Sequence, residues 1–443
     1  MSWVRCGRAD ISKGNQQSQS GSTKQIGRYY EDLRNNGLRV NILLFSYLLF
    51  IAGFFFFRSV NAHNDVFYVL ILVPYLLTIP KSTLRISLQS QIFRMLLLFL
   101  GYMMMTLLWG ERGTLQDYLH VVTQLITVLA FFLVTSEFVL RHEWFPRVLF
   151  FWICSAAVFA ALLFLLTSVH TLDKPYSRLN DLGVLRNAIQ IGCVYGMAVL
   201  LLYFSLLKRK MFTGSWSWLI CMTLVLAIFC LTQSRGPLVG LYIALLFGGL
   251  LTRDAKLLFV LCCATLFTAI LLAQGNGFLH HMIVERGTSY RIEIFRYTMG
   301  LIMQGVFFGQ GILMEFSYRL GNGMLIKHPH NLYLTTWLHG GLAGLLLLAA
   351  FLMRAFWQAS IVFIREKDFT YLALLLYASI CVFTDFNRVI GHPTPLFLFF
   401  WTPIALLSAH EFKMIYAVNE SGPATEGELY GKELQGARAC RRS

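Results

Sequence analysis

Long apolar runs broken by short polar turns dominate the chain. Twelve runs read as membrane helices: 40–57, 66–80, 92–109, 119–135, 148–167, 188–207, 216–231, 237–251, 257–273, 332–353, 371–384 and 395–409. Several are shorter than the roughly 20 residues a helix needs to cross a bilayer, so tilt or flanking polar residues must make up the length. The exception to the pattern is the polar interval 274–331. Within it, Ile292, Phe295, Met299 and Ile302 recur at helical spacing and predict an amphipathic helix, with Thr288 or Ser289 as its N-cap. The interval ends in His328-Pro329-His330-Asn331, which opens the next apolar run. The pattern predicts an all-α polytopic membrane protein of about 12 transmembrane helices. A membrane domain over 40–413 would carry one large loop at 274–331 containing short helices, between a disordered basic tail (1–39) and a polar tail (414–443).

Composition sharpens this. Of 443 residues, 57% are hydrophobic and 13% charged, against about 25% charged in soluble domains. The net charge of +15 does not point to nucleic acid, because the basic residues sit in short loops between apolar runs. Most of the 37 Lys and Arg fall on one side of the predicted topology. The positive-inside rule then puts both tails in the cytoplasm and 274–331 on the outer side. Nothing at the start of the chain reads as a cleavable signal peptide. Seven of the nine cysteines lie in apolar runs and no CxxC pair occurs, so neither a disulfide framework nor a zinc site is indicated.

The outer side keeps arginines against that bias: Arg178, Arg186, Arg235, Arg286, Arg291, Arg296, Arg319 and Arg388. A concentrated anion such as a lipid pyrophosphate would account for them. So would the tolerance of long loops for basic residues. Arg235 sits in the tight turn Thr232-Gln233-Ser234-Arg235-Gly236-Pro237, where a charge at membrane depth costs roughly 2.5–3.5 kcal/mol and calls for a partner. It reads either as a phosphate ligand at a helix N-terminus or as an interface arginine that snorkels. Arg291, in the first turn of the predicted loop helix, poses the same choice, and Arg296 falls on a different, solvated side. His330 tops a membrane helix and is a candidate base at neutral pH, with His328 and His339 as competitors. Gly340 and Gly344 are spaced for close helix packing. No phosphate-binding glycine loop, HExxH or DxD pair appears. Acidic residues are scarce within the predicted spans, which argues against a proton-coupled secondary transporter.

Ser234-Arg235-Gly236, Arg291 and His330, in that order on one predicted face, resemble the O-antigen ligase and polymerase superfamily. His330-Asn331, nine residues and then Gly341-Leu342-Ala343-Gly344 match the ligase pattern H-[NSQ]-X9-G-X-X-[GTY]. The R-X3-L element is matched only in part, since Phe295 stands at the leucine position. Phe307-Phe308-Gly309-Gln310-Gly311 resembles a PxFGxG stretch, with Val306 where proline is usual. The resemblance covers roughly 232–353. It implies a GT-C-like inner-membrane glycosyltransferase with a periplasmic active site, an undecaprenyl-diphosphate-linked glycan as donor and a lipid A-core acceptor. It implies no metal or other cofactor and no nucleic acid. Arg235 and Arg291 would hold the pyrophosphate and His330 would orient or deprotonate the acceptor hydroxyl, with Asn331, Arg296 and Arg186 as further substrate contacts and inversion at the transferred sugar. A polymerase using a second lipid-linked repeat, or a protein O-oligosaccharyltransferase, would share the donor.

Overall fold

The computed structural model describes residues 37–168, 178–207, 215–273, 290–321 and 323–420. Both predicted tails lie almost wholly outside the described residues, as do Thr288, Ser289 and the first part of the long loop. Among the described residues the regular structure is helical except for a hairpin of two two-residue strands and an isolated bridge between Leu182 and Leu185. In order, the helices are α1 (Gly37–Phe56), α2 (Val60–Phe67), α3 (Val73–Thr78), α4 (Lys81–Ser87), α5 (Gln91–Met105), α6 (Leu115–Arg141), α7 (Phe145–Thr167) and α8 (Ala188–Leu200). Then follow α9 (Ser215–Leu231), α10 (Arg235–Thr252), α11 (Ala255–Ala273), α12 (Arg291–Ile302), α13 (Leu332–Glu366), α14 (Thr370–Thr384) and α15 (Thr402–Glu420). A π-helical segment, Tyr68–Leu72, joins α2 to α3, so Val60–Thr78 runs as one span.

Eight described helices are long and apolar enough to cross a membrane, and 216–231, 255–271 and 370–384 are shorter apolar helices. The chain is therefore a polytopic α-helical membrane protein. Its outer surface fits lipid: Phe45, Leu166 and Phe259 are 69%, 74% and 70% exposed, which water would penalise and hydrocarbon does not. Several helices outrun the apolar stretches. α13 continues to Glu366 rather than stopping near 353, and α6 continues to Arg141 rather than 135. The longer helices carry Glu137 and Glu411 into the buried interior. Glu137 meets Arg141 and Arg39; Glu411 meets Arg354.

Lipid gives helices little reason to associate through apolarity alone, so close packing at small residues becomes decisive. Two further GxxxG pairs do this. Gly192 and Gly196 on α8, with Gly236 and Gly240 on α10, face Pro237, Tyr377 and Thr384. A Cβ at Gly236 would lie 2.2 Å from Thr384 Oγ1, and one at Gly196 2.1 Å from the Tyr377 hydroxyl. The Tyr377 hydroxyl donates to the Gly192 carbonyl at 2.8 Å. α14 is thus drawn against the start of α10. Gly340 and Gly344 pack as their spacing predicts, against Met103 and Tyr102 of α5.

The long loop is anchored to α13 by a kink. Gly341 leaves helical geometry (φ 64°, ψ −170°), a left-handed φ that glycine adopts without steric cost. The freed backbone groups are taken up by the loop. Leu342 N donates to Val306 O at 2.7 Å and Ala343 N to Phe307 O at 3.1 Å. In the other direction, Gln310 N and Gly311 N donate to Leu338 O and His339 O, both at 2.9 Å. The glycine of the ligase-like pattern and the Phe307–Gly311 stretch are therefore two halves of one joint. Beyond it, β1 (Tyr318–Arg319) pairs antiparallel with β2 (Leu325–Ile326), so the described part of the loop holds one helix and a hairpin rather than several helices.

Candidate functional site

The turn before α10 is built to hold Arg235 at the helix start. Gln233 takes a left-handed φ of 49°. Arg178 clamps the turn, Nε donating to Thr232 O at 2.7 Å and Nη2 to Ser234 Oγ at 2.9 Å. Ser234 Oγ donates to Ala188 O at 2.9 Å. With Gly236 against Thr384, Arg235 begins its helix beside the end of α14, where the next residue is Asp385.

His330 arrives from the other direction. It has a left-handed φ of 53°, uncommon for a residue with a Cβ. Asn331 follows as the N-cap of α13, its Oδ1 accepting from Tyr333 N at 2.9 Å and Leu334 N at 3.0 Å. This pins the imidazole so that Nδ1 lies 2.8 Å from Asp385 Oδ1. The Asp385 side chain is 7% exposed and that of His330 29%. Burial pushes the Asp385 carboxyl up, but the His330 hydrogen bond and charge, the Phe386 N–H and His328 outweigh it and hold it below the usual carboxylate range. An ionised carboxylate only accepts, so His330 Nδ1 donates, and in the neutral ring Nε2 then carries the free lone pair.

Arg291 completes the group. Burial lowers its guanidinium below the ordinary arginine range, the Asp385 carboxylate acts in the opposite sense, and Arg235 adds to the lowering. Both residues therefore act on Arg291, and it stays charged. The His328 ring lies 3.9 Å from that of His330, and burial, followed by His330, pulls His328 down to about 4. The structure thus brings together His330, Arg291 and Arg235, with Asp385 and His328 added. Two guanidinium groups, one carboxylate and an imidazole with one free nitrogen can bind a dianion and take up a proton beside it.

The other singled-out residues fall elsewhere. Asn331 is 1% exposed and its carbonyl oxygen is occupied by the cap. Arg296 is exposed. Arg186 donates to the carbonyl of Arg58, bracing the segment before α8. The loop helix also differs from its prediction. It starts after Tyr290, which is left-handed and gives no side-chain cap. It buries Ile294, Thr298 and Ile302 and leaves Ile292 and Met299 at 59% and 37% exposed. Packing on Leu338 and Trp337 selects the i, i+4, i+8 row over the more apolar one. Half-buried Arg388 lines a cavity of about 20 Å³ with Thr335, Thr336 and His339, room for a single water. Asp385 was the residue missed. Its signal was modest: a lone carboxylate in an outer turn otherwise marked by Arg388.

Residues 219–349 match the family model described as O-Antigen ligase. The stretch contains Arg235, Arg291, His328, His330 and the Gly341 kink. This chain carries an O-antigen ligase family domain. It is also 28% identical over 396 residues to an O-antigen ligase of Pseudomonas aeruginosa, covering 86% of this chain and 93% of that protein. Likeness to that ligase therefore extends well beyond residues 219–349.

Proposed function

We propose that this protein is an inverting, metal-independent O-antigen ligase of the bacterial inner membrane, with about twelve spans and both termini cytoplasmic. It moves a polysaccharide from undecaprenyl diphosphate to lipid A-core on the periplasmic face. The observation that carries the reading is the His330 Nδ1–Asp385 pair at 2.8 Å beside Arg291 and Arg235. Asp385 fixes the tautomer, as a carboxylate does for a catalytic histidine elsewhere, and leaves Nε2 as the base. The acceptor hydroxyl attacks the anomeric carbon, its proton passes to Nε2, and the bond to the pyrophosphate oxygen breaks with its electron pair. Arg235 and Arg291 neutralise the charge growing on that oxygen. The donor is already activated, so the reaction asks for no nucleotide. The full His330–Gly344 pattern and the extent of the likeness to a ligase favour lipid A-core as acceptor.

The test is a reconstituted reaction with undecaprenyl-diphosphate-linked polymer and lipid A-core. A polymer-bearing core of inverted anomeric configuration, formed in the presence of EDTA and lost in His330→Ala, is expected. Elongation of a second lipid-linked repeat without transfer to core would make the protein a polymerase instead.

A further inference from the structure

The same cluster has a second chemistry, which rests on the ligase reading only for its consequence. One ligand atom from each of His328, His330 and Asp385 lies within 4.8 Å of the others. His328 Nδ1 is buried and has no hydrogen-bond partner among the described residues. Two imidazoles and one carboxylate, with a position left for water, form the donor set of three-ligand zinc sites. Such a set selects zinc over magnesium, which prefers oxygen ligands. Tetrahedral bonds of about 2.0–2.1 Å put ligand atoms roughly 3.3 Å apart, between the 2.8 Å of the His330–Asp385 contact and the 4.8 Å limit of the cluster. Small side-chain shifts are enough to close the site.

We propose that His328, His330 and Asp385 form a Zn2+ site whose occupation switches off the base at His330. Zinc needs the lone pair of Nδ1, which in the free enzyme carries the proton donated to Asp385. The neutral ring accommodates the metal by moving that proton to Nε2, with no net release. Nε2 then holds a hydrogen where the acceptor hydroxyl must deliver one, and Asp385 is diverted from orienting the ring to ligating the metal. Arg291 and Arg235 nearby repel a dication. Zinc therefore binds reversibly as an inhibitor, not as a resident structural ion.

Tag-free full-length protein in detergent is titrated with ZnCl2 by calorimetry, with MgCl2 as the control metal. His328→Gln, close in size, and Asp385→Asn are compared, with thermal melts confirming that each is folded. One saturable Zn2+ per chain is expected, with affinity weakened roughly tenfold or more by either variant. Zinc should inhibit transfer, EDTA should restore it, and His328→Gln, scored against its own zinc-free rate, should need correspondingly more zinc. Absence of saturable binding, or equal binding by wild type and both variants, overturns the site. Binding that leaves transfer unaffected overturns the switch. Binding by a wild type that shows no transfer even without zinc counts against the ligase reading while the site stands.

Discussion

Two of the buried carboxylates, Glu411 and Asp385, are treated differently. Glu411, 2% exposed, is fully enclosed by its own partners. It accepts from Ser90 Oγ at 2.7 Å, Ile92 N at 3.1 Å and Arg354 Nη2, and Ser408 supports Ser90 at 2.9 Å. Asp385 also has a close partner, but that partner is a histidine with one nitrogen left over, and Arg291 and Arg235 bring more positive charge than Asp385 cancels. A closed arrangement stabilises a helix junction; the outer one leaves an imidazole nitrogen unused beside two guanidinium groups. A buried acidic residue in a membrane bundle is therefore not in itself a functional mark. Whether its partner keeps a titratable nitrogen free, as His330 does and Arg354 does not, separates the two cases. The Arg354 pairing of Glu411 and the Arg39 and Arg141 pairing of Glu137 also weaken the transporter alternative, which needs carboxylates free to exchange protons.

The difference predicts two kinds of loss. Arg354→Met strands Glu411 and should cost about 3–5 kcal/mol. It should appear as a large fall in melting temperature and in yield of folded protein, and Arg354→Met with Glu411→Met should recover much of it. His330→Ala should lower melting less than Arg354→Met, because the Arg291 charge still acts on Asp385, and should lower transfer about 10²–10⁴-fold. Arg291→Ala should lower transfer by about 10²–10³-fold, with an added rise in apparent donor KM. If Arg291→Ala melts like Arg354→Met while its residual transfer is normal, the outer cluster is structural and the contrast fails.

What could be read from the sequence follows from what each residue needs of its neighbours. Spans, the loop, Arg235, Arg291 and His330 were legible because hydropathy and local spacing carry them. Asp385 was not, since it joins His330 from 55 positions away in the chain and depends on α14 lying against α10. The GxxxG pairs that draw those helices together were also hidden, because Gly192, Gly196, Gly236 and Gly240 mean little until Tyr377 and Thr384 face them. Asn331 shows the opposite case: the resemblance implies a substrate contact there, and the structure adds a local role, its Oδ1 capping α13. Gly236→Leu tests the assembly. With Thr384 Oγ1 only 2.2 Å from an ideal Cβ, the larger side chain should push α14 away, lowering both transfer and melting temperature. Asp385→Asn should lower transfer alone, on the order of 10–100-fold.

The smallest effect is expected at a histidine outside the cluster. His392 Nε2 lies 2.9 Å from His120 Nε2, and Tyr68 OH contacts His392 Nδ1. Two facing Nε2 atoms bond only while at least one ring is neutral. Burial, and then His120, pull His392 below the ordinary histidine range, while Asp117 faces His120. The unfolded chain therefore binds a proton more readily than the folded one, so this contact's stability is intact above the ordinary histidine value of about 6.5 and falls as pH drops through it. His392→Gln should flatten the melting profile over that window without changing transfer at neutral pH. A profile unchanged by the substitution would show that the histidine pair contributes nothing to stability. A loss of transfer at neutral pH would extend the functional site from the His330–Asp385 cluster to α6 and Tyr68.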